Sequence, residues 1–305
     1  MHVGSGVHGE HTRWALALAV AVLATLSTAS PASAQDHRLR WEPEWNRVHP
    51  ATYTVMGVAA AGALVLDFGV EPGRLEALVR GPEIFDEPVR NALMAPTEEG
   101  REAAATLSDI LLLSLLVWPY VDAFVVAGIA DQNTDVLWQL SSIAAETYAA
   151  DLLISTVFKL LVARERPHGA RCTLEDRLEN PRRCGPGGRL RSFYSGHSSA
   201  AFNAAGVTCV SHLHLPLYGS RAADTMACGA ALLTATIVAT LRIIADRHYA
   251  TDVIIGAVVG LGTGFLLPYL LHFHRWGDAP DPTGGSVAEL SSPLSAPMFS
   301  FGSAF

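Results

Sequence analysis

Val253-Ile-Ile-Gly-Ala-Val-Val-Gly-Leu-Gly-Thr-Gly-Phe-Leu-Leu-Pro-Tyr-Leu-Leu271 runs without a single charged side chain. A helix needs ~20 predominantly apolar residues to cross the hydrocarbon core of a bilayer, so this stretch reads as a spanning helix. Upstream, Met226 to Leu241 is also free of charge. Apolar segments then recur over 52–67, 106–129, 137–162, 198–215, 225–244 and 250–272. Segment 52–67 is short and rich in Ala and Gly, and is expected not to span. Segment 137–162 carries Glu146, Asp151 and Lys159. Ionisable residues inside an apolar helix are costly and face a bundle interior or a polar cavity. The expected fold is therefore all-α, a bundle of about five to six apolar helices embedded in a membrane.

Composition agrees. Half the chain is hydrophobic and 16% is charged, below the roughly 25% of soluble domains. A net charge of −8 leaves no basic footprint for nucleic acid. Residues 1–34 read as a secretory signal, with Arg13 ahead of an apolar core and Ala32-Ser33-Ala34 as the cleavage site. That signal addresses the chain to a bacterial-type cell envelope. Residues 35–104 form an N-terminal segment with one weak apolar helix, 105–272 the main helical domain, and 273–305 a loose Gly-, Pro- and Ser-rich tail. No internal repeat is found.

Of the four cysteines, Cys172 and Cys184 flank a polar loop that a disulfide would restrict. Cys209 and Cys228 lie in apolar segments and are expected to be ordinary buried thiols. None shows zinc-type spacing.

Three polar clusters interrupt the apolar pattern. In Lys159-Leu-Leu-Val-Ala-Arg-Glu-Arg166-Pro167, the chain's one lysine among twenty arginines stands seven residues before Arg166. Two helical turns would put both cations on one face, with Pro167 ending the helix. By itself the pair equally suits two side chains snorkelling at a membrane boundary. Tyr194-Ser195-Gly196-His197 precedes an apolar helix. Ser195 suits an N-cap, Gly196 permits close backbone approach, and the helix N-terminus favours a phosphate; a plain cap with an incidental histidine is the bland alternative. In Arg242-Ile-Ile-Ala-Asp-Arg-His248-Tyr-Ala-Thr-Asp252, the His and Asp are four apart, which on a helix would let the carboxylate fix the imidazole tautomer. The neighbouring cations argue against a metal there.

Taken together, and in this order, the clusters resemble the PAP2 phosphatase signature K-x6-R-P, P-S-G-H, S-R-x5-H-x3-D over roughly residues 105–272. Tyr194 stands where proline is usual and Leu241 where serine is usual. The resemblance implies a PAP2/haloperoxidase-like core and a metal-independent phosphatase without cofactor. It assigns His248 as nucleophile, oriented by Asp252, with His197 protonating the leaving oxygen. Lys159, Arg166, Ser195, Gly196 and Arg242 would hold the phosphoryl oxygens. Apolar helices flanking the motifs suggest a lipid phosphate or pyrophosphate as substrate, with the membrane as the other partner. Rival readings are a secreted soluble acid phosphatase, a lipid phosphotransferase, a vanadate haloperoxidase, and a non-enzymatic binder of anionic lipid. Oligomeric state is open. The site is expected to face the periplasm from the inner membrane, although the eight arginines of the 164–191 loop favour a cytoplasmic side.

Overall fold

The computed structural model describes residues 39–70 and 78–274. The expected signal segment 1–34, and the tail beyond His274, lie outside the described residues. Within them the chain is helical throughout, with no strand.

Helix α1 (Pro50–Gly69) begins with proline in its first turn, where the missing N–H costs nothing. A short α2 (Asp86–Leu93) follows. Helix α3 (Glu98–Val121) is capped by Thr97 and continues as wider, π-type turns through Asp122–Ala130. Helix α4 (Thr134–Val162) is capped by Asn133. After a loop of short helical turns come α5 (Gly196–His214), α6 (Arg221–Ile244) and α7 (Ala250–Leu261), the last continuing in π-type turns to Phe273. The domain boundary expected between residues 104 and 105 falls inside α3.

Helix α5 is the hub, packed against α3, α4, α6 and α7. It is the least apolar of the long helices in appearance, with Ser198, Ser199 and Asn203 fully buried. Each is satisfied by a neighbour: Ser198 donates to the Val253 carbonyl, Ser199 to Asp151, and Asn203 to the Thr147 carbonyl and Thr263. The close seam with α7 rests on glycine. A Cβ at Gly256 would lie 2.6 Å from the Ser195 carbonyl oxygen, and one at Gly260 or Gly264 would overlap the Ser199 or Asn203 backbone.

Four helices among the described residues are long and apolar enough to cross a membrane: Pro50–Gly69, Glu98–Ala130, Arg221–Ile244 and Ala250–Phe273. Their apolar side chains point outward; Phe68 is 85% exposed, Leu233 63% and Val258 63%. Such surface belongs in lipid, and the molecule is a membrane-embedded bundle. This corrects the expectation for segment 52–67. Ala and Gly dilute its hydrophobicity, yet the helix reaches 20 residues with a mean hydropathy of 1.5 over its best window.

The ends of the bundle differ. Residues 39–48, the start of α4 and the end of α7 meet at one end, where Asn46 N–H donates to the His272 carbonyl and Arg47 pairs with Asp135. The clusters carrying Lys159, His197 and His248 gather at the other. Cys172 and Cys184 are bonded in the loop at that second end. Cys209 and Cys228 are also joined, correcting the expectation of free thiols. Antiparallel packing of α5 on α6 brings their Cα atoms to 4.4 Å, a juxtaposition that separation along the chain does not reveal.

Candidate active site

His248 lies in the turn between α6 and α7 and is buried. Its Nδ1 sits 2.8 Å from the Ser192 carbonyl oxygen. A carbonyl only accepts, so Nδ1 holds the proton and Nε2 carries the lone pair. Burial, reinforced by Arg166, Arg242, His197 and Lys159, pushes the imidazole well below the ordinary histidine range. The ring is therefore neutral at pH 7, as a nucleophile requires.

The expectation that Asp252 binds this ring directly is corrected. Helix α7 starts only at Ala250, so His248 and Asp252 do not share a helical face. The carboxylate stands 4.0 Å from Nδ1. It accepts instead from Arg164 Nη1 and Ser192 Oγ, each at 2.6 Å, and from the Tyr249 N–H at 3.0 Å. Asp252 thus grips the side chain of the same serine whose carbonyl fixes His248. Arg164 is buried and also pairs with Asp86 of α2 at 2.7 Å.

A second correction concerns Lys159 and Arg166. Helix α4 ends at Val162, before Arg166, because Ala163 turns left-handed at φ 43° and donates back to the Lys159 carbonyl. Arg164 is thereby turned toward Asp252 and Asp86, and Arg166 arrives on extended backbone at φ −72°, ψ 153°. The two cations approach the site from helix and loop, not from one helical face. Burial lowers Arg166, with Arg242 and Arg247 adding to the effect, to about 9, and it stays charged at neutral pH.

Ser195 caps α5 by accepting from the Ser198 N–H at 3.3 Å. At Gly196 a Cβ would collide with the Lys159 ammonium and lie 3.2 Å from Ser155 Oγ. Glycine here lets the lysine reach the helix N-terminus. His197 Nε2 lies 2.8 Å from Asp109 Oδ1, and Arg242 Nη1 lies 3.0 Å from the same oxygen. Leu241 packs with Ala104, Ala105 and Ala245, so its departure from serine serves helix packing. Tyr194 is buried between Phe158 and Phe193, at ring distances of 5.8 and 6.1 Å.

Three contributors escape a motif-based reading: Asp109, Arg164 and Ser192. Arg164 stands inside the first quoted cluster and Ser192 two residues before the second, but their roles depend on partners far along the chain. Asp109 had a signal of its own, a charge at the start of the 106–129 apolar segment. Among the described residues no group of three or more His, Cys, Asp or Glu is arranged to hold a metal.

The model described as PAP2 superfamily matches residues 140–276, and this segment belongs to that superfamily. The match begins within α4 and takes in all three clusters. The chain is also similar to a solved transmembrane PAP2 type phosphatidylglycerolphosphate phosphatase from Bacillus subtilis. Identity is 21%, covering 70% of this chain and 94% of that one, with a TM-score of 0.44. No curated protein matches.

Proposed function

We propose that this protein is a metal-independent phosphatase that hydrolyses lipid phosphate or pyrophosphate monoesters through a phosphohistidine. The observation that supports it best is the Nδ1–Ser192 hydrogen bond, which leaves the His248 Nε2 lone pair among Lys159, Arg166 and Arg242. Nε2 attacks phosphorus while the bond to the ester oxygen breaks, and protonated His197 gives that oxygen its proton. Water then attacks the phosphohistidine, His197 takes the water's proton, and the P–N bond breaks to release phosphate. Lys159, Arg166 and Arg242, with the N-terminus of α5 at Ser195 and Gly196, stabilise charge on the transferring group.

The test is phosphate release from a short-chain phosphatidic acid by detergent-purified protein in EDTA. Release should persist in EDTA and vanish in His248→Ala, whose rapid acid-free quench should also lack a labelled protein band. Equal release by both proteins would end the catalytic assignment. A lipid substrate is supported by the apolar outward faces around the site, and the rival soluble enzyme predicts protein in the supernatant of carbonate-washed membranes.

For location we propose the inner membrane with the site facing the periplasm, supported by the Cys172–Cys184 bond, which belongs in an oxidising compartment. This orientation puts residues 39–48 and His272 at the cytoplasmic end, and so requires that residues 1–34 are not removed as the cleaved secretory signal that the sequence suggests. Labelling of single cysteines introduced into the 164–191 loop of intact cells decides it; protection from an impermeant reagent would reverse the orientation.

A further inference from the structure

Asp151, Ser155 and Lys159 recur every fourth residue along α4, which stacks them on one face of the helix. Side chains on a helix lean toward its N-terminus, so the Lys159 stem lies over the turn that carries Ser155. Gly196 and Ser199 of α5 stand across from this stripe, with Tyr194 just ahead of the cap. A Cβ at Gly196 would collide with the Lys159 ammonium and lie 3.2 Å from Ser155 Oγ, so ammonium and hydroxyl flank one point. Tyr194 brings its hydroxyl to the same place, beside Ser155, Ser199 and the Asp151 carboxylate.

Two of these groups lack partners. Tyr194 Oη and Ser155 Oγ are buried and engage in no hydrogen bond, a condition in which buried hydroxyls are seldom left. An ammonium has three hydrogens to donate, and each hydroxyl has lone pairs to receive them. One turn below, Ser199 donates to Asp151. That buried carboxylate is bonded by the hydroxyls of Ser199 and Thr263, and no arginine pairs with it among the described residues. Asp67, the other carboxylate that attracts Lys159, is held by Arg191.

We propose that Tyr194, Ser155 and Asp151 form a seat for the Lys159 ammonium: the two hydroxyls accept its hydrogens, Asp151 supplies the counter-charge, and the ammonium is thereby held toward the phosphoryl group at the N-terminus of α5. The proposal rests on the phosphatase reading above. All three act as positioning residues, through Lys159. The seat gives a task to the tyrosine that stands where proline is usual. It also gives a reason for one lysine among twenty arginines. A compact ammonium fits between a serine, a phenol and the Gly196 backbone, and a broad planar guanidinium does not.

The experiment measures the dissociation constant of inorganic phosphate from the rise it causes in the melting temperature of the full chain in detergent. Tyr194→Phe keeps the ring between Phe158 and Phe193 and removes only the hydroxyl. This variant and Asp151→Asn should each weaken phosphate binding about tenfold, the usual worth of a hydrogen bond to a charged group. In a Lys159→Met background neither change should weaken it further. Unchanged affinity in both single variants overturns the proposal. So does an equal loss with and without the lysine, which is what a merely structural role predicts. If the lysine-dependent pattern appears but wild type releases no phosphate from phosphatidic acid, the seat stands and the phosphatase reading falls.

Discussion

The residue that orients the His248 ring is a serine that carries no signature role. Ser192 offers its carbonyl to His248 and its hydroxyl to Asp252, so a backbone group, not a carboxylate, selects the imidazole tautomer. Asp252 then acts on His248 through Ser192, as a positioning residue anchored by Arg164. Asp252→Asn should lower kcat by roughly 10–100-fold, in line with loss of an orienting partner one shell out, while KM changes little. Steady-state kinetics separates this from a binding defect, in which KM would rise and kcat hold. His197→Ala should cost roughly 10²–10⁴ in rate on alkyl phosphates, the usual worth of a proton donor. It should spare aryl phosphates, whose departing oxygen needs no proton; equal losses on both would remove His197 from the acid role. The eight site residues that the signature names were legible in the sequence because their types and spacings are local properties. Arg164, Ser192 and Asp109 were not, because what defines them is the identity of a partner 60 to 90 residues away.

At the scale of elements, two features hold the clusters in register. The first is the α5–α7 seam. Gly256, Gly260 and Gly264 repeat every fourth residue on α7 and let its backbone lie against that of α5, a small-residue packing that suits helices in lipid. This seam sets the Ser195–His197 turn against the start of α7, where the Ser195 N–H donates to the Asp252 carbonyl at 3.1 Å. Gly260→Leu should abolish both activity and a sharp gel-filtration peak in detergent, whereas Val258→Leu, on the exposed side, should change neither. The spacing of these glycines was visible in the sequence, but the helix they face was not. The second feature is the end of α4. Ala163 holds a left-handed conformation that costs an L-residue about 1–2 kcal/mol, and it is buried. Ala163→Gly should therefore stabilise by about 0.5–1 kcal/mol after the added unfolded-state entropy is subtracted. Ala163→Val should destabilise and displace Arg164. Thermal melts in detergent test both signs.

For the whole molecule, pH sets a limit through buried neutral histidines at the site end. Burial and the nearby Arg166 push His168 down to about 4, and His248 is depressed for the same two reasons. A folded-state pKa below the unfolded one means the unfolded chain binds protons first as pH falls. The stability these groups contribute is complete above about pH 6.5 and is lost as pH drops toward 4. Melting temperature should fall across that window, and His168→Gln should flatten the slope; a flat profile in the wild type would contradict the buried neutral state. The sequence by itself determined that the chain is a membrane-embedded helical bundle, because an uninterrupted apolar run must be shielded from water whatever surrounds it. It also determined which histidines and cations share a signature. Only the tertiary structure decided that Cys209 meets Cys228, that α1 runs the length of the bundle, and that His248 is oriented by a carbonyl. It alone placed Asp109 against His197. Hydrophobicity and spacing act along the chain, whereas hydrogen-bond partners and like-charge neighbours are fixed only when helices distant in sequence pack side by side.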